Sequence, residues 1–464
     1  MNVRVKFLGG ALSVTGSKYL LEIDDYKLLV DCGLFQGPKA LRLRNRHSFP
    51  VHPAAIDAVV ITHAHIDHSG YLPRLVREGF NGPVYCTDAT ADLTEILLLD
   101  SAKLQEEEAD YARKKGYSRH EYPQPLYGVS DAEKALSLLK GFPYRQRVAI
   151  TDRLEVRFLD AGHILGSAIV ELLIRGEHQE KKVVFSGDLG RYDQAVFKDP
   201  TAVSYADILF VESTYGNRKR LEVNLESELA AIVNESRQRK GCLLIPAFAV
   251  GRTQTVIYHL HQLMQKGKIS EMPIFIDSPM AINVTRLYKR YTSYHKLRGN
   301  RPASIFENKQ LFYYRSREES ASLNERKNNA IIISASGMVT GGRILHHMYH
   351  HLKREEDTVL FVGYQAKGTR GRTIMEKQAT VKMFGVEVPI RCNIRTINGL
   401  SAHADQEELM CWLGQYKNSP KRTFVVHGEP ESANALVGKI SRELGWNNIY
   451  APDYLESFEL FEEL

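Results

Sequence analysis

Residues 62–68 read Thr62-His63-Ala64-His65-Ile66-Asp67-His68, so four metal-capable side chains fall within a few positions. They follow Ala58-Val59-Val60-Ile61, a short β-branched run that predicts a buried strand. Such residues then sit on the loop that leaves the strand's C-terminal end, where α/β proteins build their active sites. Imidazole and carboxylate together suit a borderline ion such as Zn²⁺. A polar solvated loop would not need this density of imidazoles.

The same pattern recurs further along. His163 follows the strand-like residues 154–159 in Asp160-Ala161-Gly162-His163. Asp188 follows Val183-Val184-Phe185, and His427 follows Thr423-Phe424-Val425-Val426. Asp31 ends Leu28-Leu29-Val30 and precedes Cys32-Gly33. Each is a polar residue at the end of an apolar run, beside a glycine that lets the backbone turn. Taken singly, each reads as an ordinary loop residue; together they describe one centre.

This set resembles the metallo-β-lactamase superfamily. The resemblance implies an αββα sandwich holding two metal ions. His63, His65 and His163 would bind one, Asp67, His68 and His427 the other, and Asp188 would bridge them. Asp31 would orient ligands through hydrogen bonds. The superfamily alone does not fix the reaction.

The chain has 464 residues, enough for two domains or for one domain with a large insertion. Its net charge of +6 permits a polyanionic partner without requiring one. No run of about 18 apolar residues occurs, so no membrane-spanning helix is expected. The N-terminus alternates like a first strand, and no signal peptide is expected. The cysteines Cys32, Cys86, Cys242, Cys392 and Cys411 are scattered and form no Cys-x-x-Cys. The expectation is a reduced, cytoplasmic protein with buried thiols.

Up to residue 214 the pattern is strands with a few helices, including a long helix over 88–115 and a Tyr- and Pro-rich loop over 116–128. From 215 to 390 helices near 223–239, 252–266, 280–292 and 343–352 alternate with strands at 242–245, 274–276, 331–333 and 358–362. Such alternation predicts a parallel, Rossmann-like sheet. Because His427 should join the metal centre, residues 391–464 must complete the fold begun by 1–214. The block 215–390 is then an insertion.

Four loops of that block, 246–254, 277–281, 334–343 and 363–372, each follow a strand and precede a helix. In a parallel sheet they converge at one edge. Glycines let backbone N–H groups approach a ligand, and helix N-termini favour anions. Arg252, Arg343, Lys367, Arg370 and Arg372 add charge suited to phosphates. Ser336 and Ser401 are further candidate phosphate contacts. Glu212 ends the run Ile208-Leu209-Phe210-Val211, and His403 lies in Ser401-Ala402-His403-Ala404-Asp405.

Glu212, His403 and His427 match motifs A, B and C of the β-CASP nucleases, the branch with a cassette inserted before the final ligands. The likeness runs over essentially the whole chain and is strongest to the cleavage-and-polyadenylation endonuclease subunit and compact prokaryotic RNA-processing relatives. It implies an α/β architecture: the sandwich with an inserted Rossmann-like β-CASP domain. It also implies two Zn²⁺ per chain and hydrolysis of single-stranded RNA to 5′-phosphate and 3′-hydroxyl ends. His403, oriented by Glu212, would be the general acid, with Asp67 and Asp31 completing the catalytic set. Members acting on RNA carry histidine at motif C, so His427 favours RNA over DNA. A DNA-directed nuclease, a thioesterase-like small-molecule hydrolase and a non-catalytic RNA-binding scaffold are the alternatives. The KH extension of archaeal homologues is not expected here, nor the long C-terminal extension of ribonuclease J. A homodimer is compatible with the resemblance.

Overall fold

A computed structural model of the chain describes residues 1–115, 123–219, 224–297, 305–366 and 368–463. The chain divides into two compact units, Met1–Lys219 with His403–Leu464, and Arg220–Ala402.

The first unit holds two seven-stranded sheets. In the first, Ser457–Phe461, Val3–Gly9, Lys18–Ile23, Tyr26–Val30, Ala58–Val60, Val84–Thr87 and Leu139–Phe142 lie side by side. In the second, the order is Ile449–Tyr450, Arg422–Val426, Ile208–Glu212, Glu180–Phe185, Ala168–Arg175, Leu154–Asp160 and Arg147–Thr151. Val3, Val5 and Phe7 are fully buried while Arg4 is exposed, the two-residue period of a strand with one face on a core. That core lies between the sheets: the Phe7 ring is 5.8 Å from Phe210 and 5.2 Å from Phe424. The outer face of the first sheet packs on Leu72, Leu75, Leu98 and Ala132 from its helices. That of the second packs on Leu409, Trp412, Leu436 and Ile440. The result is the expected αββα sandwich.

Strand direction explains why distant residues meet. Tyr26–Val30 runs parallel to Ala58–Val60, so Asp31 and the His63 loop leave at one edge. Glu180–Phe185, Ile208–Glu212 and Arg422–Val426 are mutually parallel, which puts Asp188, Glu212 and His427 at one edge of the second sheet. Leu154–Asp160 is antiparallel to Ala168–Arg175, itself antiparallel to Glu180–Phe185, so His163 leaves there too.

The second unit is built on a six-stranded parallel sheet, Leu311–Tyr313, Ile274–Ile276, Ala330–Ser334, Cys242–Pro246, Thr358–Phe361 and Asn393–Thr396. The helices expected from the alternation form as Leu225–Gln238, Arg252–Gln265, Pro279–Arg290 and Ile344–His351. One expectation is corrected. Asn393–Thr396, assigned above to the completing segment 391–464, pairs with Thr358–Phe361 and is the edge of this sheet. As a half-exposed edge strand it carries no alternation that could reveal its partner. The strand Leu311–Tyr313, the helix Arg317–Asn324 and the hairpin Thr380–Met383/Val386–Pro389 were likewise not foreseen; all are short.

The helix Asp88–Lys115 forms as expected. Tyr117 and Tyr122 lie outside the described residues. Tyr127 is fully buried, its hydroxyl 2.8 Å from Ser101 Oγ, so that end of the loop packs into the core. Four cysteines are buried, and Cys411 is exposed. Among the described residues no helix is long and apolar enough to cross a membrane.

Candidate metal centre

Backbone geometry sets the site. Asp31 and His427 adopt left-handed conformations, φ +60° and +50°, which non-glycine residues rarely take and which recur at functional sites. Gly33 lets Asp31's loop press on the His68 turn: a Cβ there would lie 1.6 Å from the Asp67 carbonyl oxygen. His403 is held by a bridge to Gly190, and the Ala404 N–H donates to Leu189 O at 2.8 Å.

Two groups of donors result. In the first, His63 Nε2 is 3.1 Å from His65 Nδ1, and His163 Nε2 is 3.3 Å from the same atom. Asp188 Oδ2 lies 3.4 Å from His63 Nε2 and 3.7 Å from His163 Nε2. Zinc–ligand bonds of about 2.1 Å give tetrahedral donor–donor edges of roughly 3.4 Å. These four atoms therefore have the spacing of one coordination shell. In the second group, His68 Nε2 and His427 Nε2 are 3.2 Å apart, and Asp67 Oδ2 is 3.4 Å from His427 Nε2 and 4.0 Å from His68 Nε2. Asp188 Oδ1 lies 3.4 Å from His68 Nε2. The Asp188 carboxylate thus touches both groups, one oxygen to each. Imidazole nitrogens facing one another at this distance gain little as hydrogen bonds; a cation between them satisfies both lone pairs.

The surrounding hydrogen bonds fix the rings. His68 Nδ1 donates to Asp31 Oδ2 at 2.7 Å, which turns Nε2 inward. Thr62 Oγ1 donates to Asp31 Oδ2 at 2.9 Å and lies 3.1 Å from His63 Nδ1. Thr214 Oγ1 lies 3.1 Å from His427 Nδ1. Thr62 and Thr214 were missed in the sequence reading. Thr62 directly precedes His63, and that adjacency was the available signal; nothing local marks Thr214. Among the described residues His163 Nδ1 has no hydrogen-bond partner.

Charge follows from this packing. Burial, helped by neighbouring histidines, lowers the pKa of His63 to about 3 and of His65 to about 4, and takes His163 well below the usual value. All three rings are neutral at pH 7, the form in which an imidazole can bind a metal. Burial raises the carboxyl pKa of Asp188, but His427, His68 and His63 outweigh it and hold it well below the usual range. Burial also opposes charge on His68, yet Asp188 and Asp31 raise its pKa well above the ordinary histidine value. A metal ion would compete with that proton.

Glu212 is fully buried and close enough to Asp188 and His427 to count as a third possible ligand set. Its oxygens are already engaged. Oε1 accepts from the Leu189 N–H at 2.7 Å and faces His403 Nδ1 at 3.3 Å, and Oε2 accepts from Thr214 N–H at 3.1 Å. Glu212 is therefore the holder of His403. Burial alone would lower the His403 pKa, but Glu212 and then Asp188 raise it to about 9. A protonated imidazole beside the donor groups is suited to giving a proton to a leaving oxygen.

In the second unit the loops converge within the C-terminal edge of the sheet, but their arginines are partly occupied. Arg252 Nη1 donates to Val362 O. Arg343 Nη1 binds Asp277 Oδ1 at 2.6 Å, and Nη2 donates to Arg315 O at 2.5 Å. Arg370 Nε donates to Lys382 O at 2.9 Å, and Arg372 Nε pairs with Glu376 at 2.6 Å. Ser336 Oγ accepts from the Thr340 N–H at 3.0 Å. Ser401 lies two residues before His403, and Lys367 lies outside the described residues.

Family models match three stretches: Metallo-beta-lactamase superfamily over residues 14–229, Beta-Casp domain over 253–374, and Zn-dependent metallo-hydrolase RNA specificity domain over 387–452. The chain is 37% identical to Ribonuclease TTHA0252 of Thermus thermophilus, over 94% of this chain and 96% of that one. It is 31% identical to Transcription termination factor FttA of Methanosarcina mazei, over 95% of this chain and 69% of the relative. A crystal structure of a protein of unknown function from Enterococcus faecalis V583 superposes with a TM-score of 0.57 at 14% identity, covering 99% of this chain and all of that one, a likeness of fold. Sequence likeness of this extent, over both the sandwich and its insertion, settles the matter of kinship: the chain belongs to the β-CASP family of the metallo-β-lactamase superfamily.

Proposed function

We propose that this protein is a metal-dependent ribonuclease that hydrolyses single-stranded RNA with two Zn²⁺ ions, leaving 5′-phosphate and 3′-hydroxyl ends. The observation that carries the reading is the pair of donor groups sharing Asp188, with the Glu212-held His403 beside them. The ribonuclease relative supports RNA as substrate, as does the match to an RNA specificity domain.

His63, His65, His163 and Asp188 would hold one ion, and Asp67, His68, His427 and Asp188 the other. When bound, the ions supply Lewis acidity and lower the pKa of water held there toward about 7. Asp31 keeps the His68 ring in register through Nδ1. Thr62 and Thr214 do the same for His63 and His427. His403 gives its proton to the departing 3′-oxygen, and Glu212 stabilises the imidazolium before the transfer. Basic groups of the insertion, Arg370 and Arg372 among them, contact phosphates and make binding salt-dependent.

The test is elemental analysis of the purified protein, followed by digestion of end-labelled RNA and DNA of one sequence. Two zinc ions per chain and chelator-sensitive cleavage of the RNA are expected. Cleavage of DNA in preference, or turnover that survives metal removal, overturns the reading.

A further inference from the structure

Lys18 opens the strand Lys18–Ile23 and is only 3% exposed. Its ammonium donates to the Gly33 carbonyl and lies 4.3 Å from the centre of the Phe35 ring and 5.1 Å from that of Tyr71. Among the described residues it meets no carboxylate; the charged groups nearest in influence are Cys32 and Arg44. Taking an ammonium out of water without an opposite charge is costly, and burial lowers the Lys18 pKa to about 8. An apolar side chain of similar length would fill the place at lower cost. Packing alone therefore does not account for a lysine here.

The start of this strand, the Asp31 loop and the turn that carries Asp67 and His68 meet at Gly33. The Gly33 N–H donates to Ser17 O at 3.0 Å, and the Ser17 N–H donates to the Asp67 carbonyl at 2.9 Å. The Cys32 N–H donates to His68 O at 2.7 Å, Leu34 N–H to Ile66 O at 2.9 Å, and Tyr71 N–H to Cys32 O at 2.8 Å. Residues 32–34 are thus laced to the ligand-bearing turn and to Ser17 beside Lys18. Gly33 has no room to turn, since an added Cβ would fall 1.6 Å from Asp67 O and 2.7 Å from His68 N. A carbonyl fixed and buried in this way needs a donor from within the protein. Lys18 supplies it, and the rings around its ammonium belong to the same laced segments.

The consequences reach the donors by separate routes. Asp31, close before Gly33 in the same loop, holds His68 Nδ1 at 2.7 Å and so aims His68 Nε2. Ser17, next to Lys18, holds the backbone of Asp67. His68 and Asp67 are donors of the group completed by His427.

We propose that Lys18 is a positioning residue for the metal centre: by holding the Gly33 carbonyl it keeps Asp31 and the Asp67–His68 turn where a metal ion needs them. The proposal rests on the two-ion reading above and adds to it a residue that acts through the backbone and not as a ligand.

The experiment uses the full chain, with Co²⁺ in place of zinc for its geometry-sensitive visible spectrum, and zinc competition against a chromophoric chelator. Lys18→Met keeps the length of the side chain and removes the donor. It is expected to weaken one of the two bound ions by about 10- to 100-fold, the scale for losing a group that orients a ligand. The cobalt spectrum should change, and kcat should fall with KM held. Lys18→Arg can still donate to the carbonyl and lie against the rings, so it should recover most of the affinity and the wild-type spectrum. Leu21→Ala, a core change on the same strand, controls for general loss of stability. It should lower the urea midpoint and leave the spectrum alone. If Lys18→Met does not fold, Lys18→Gln takes its place, a shorter polar side chain for which the same loss is expected. Wild-type affinity and spectrum in the donor-less variant make Lys18 a packing residue and overturn the proposal. So does a Leu21→Ala variant that perturbs the centre as much. A wild type that binds no cobalt overturns the two-ion reading, and this proposal with it.

Discussion

Buried histidines stand beside aspartates in both units, and their ring nitrogens face different things. In the second unit His347 binds Asp277 through Nε2 at 2.7 Å and Asn324 through Nδ1 at 2.9 Å. His351 binds Asp357 through Nδ1 at 2.7 Å and the Leu323 carbonyl through Nε2 at 3.1 Å. Each ring has both nitrogens satisfied. Cys242, His351 and Asp357 lie close enough to hold an ion, yet the Arg354 guanidinium sits 3.8 Å from Asp357 and supplies the cation already. In the first unit the nitrogens of His63, His65 and His163 point at one another, as do those of His68 and His427. The same residue types therefore make a hydrogen-bonded network in one unit and a candidate ligand set in the other. The difference is whether every polar atom has found a protein partner.

The sharpest break of this comparison is Asp188→Ala. Losing the carboxylate that touches both donor groups should abolish RNA cleavage and lower bound zinc, read by elemental analysis. Full metal content with normal turnover would remove Asp188 from the centre.

His403→Ala should be next in size. Cleavage slows by roughly 10²–10⁴-fold, the scale of a lost general acid, with zinc near wild type. His427→Ala should lose metal instead. A 3′-thio leaving group needs less protonation, so it should rescue the first variant selectively. Equal loss of zinc in both would recast His403 as a ligand support.

Asp277→Ala tests the other side. Removing the acceptor of Arg343, His347 and Ser320 should cost about 3–5 kcal/mol of stability, the scale of a broken buried pair. Urea unfolding measures it, and zinc content should not change. A metal deficit would make the second network more than structural.

The smallest effect is expected at Arg372. Its pair with Glu376 is a surface i,i+4 contact, so Arg372→Ala should change stability by only about 0.5 kcal/mol. If its guanidinium also meets a phosphate, the salt dependence of RNA binding should drop by about one unit of slope. An unaltered slope leaves Arg372 with its helix-surface role only.

Much of the centre was legible before the fold. His63, His65, Asp67 and His68 fall in one loop after one apolar strand, and His163, Asp188 and His427 each follow a run of buried residues. Strand ends are readable because burial on a sheet demands β-branched and aromatic residues that stop where the loop begins. The insertion's regular helices and central strands were legible for the same reason. Asn393–Thr396 was not, because an edge strand need not bury both faces.

The sequence by itself determined which chemistry was available: imidazoles and carboxylates at strand ends, and basic glycine-containing loops within a strand–helix alternation. The donor a residue can offer is a local property, since a lone pair belongs to its own side chain. Only the tertiary structure decided what each group does. It engaged both Glu212 oxygens with the Leu189 and Thr214 N–H groups as well as facing His403, enlisted Thr214 behind His427, and occupied Arg343 with Asp277. Those roles depend on which atoms from remote strands come within hydrogen-bond distance, and sheet order sets that, not proximity along the chain.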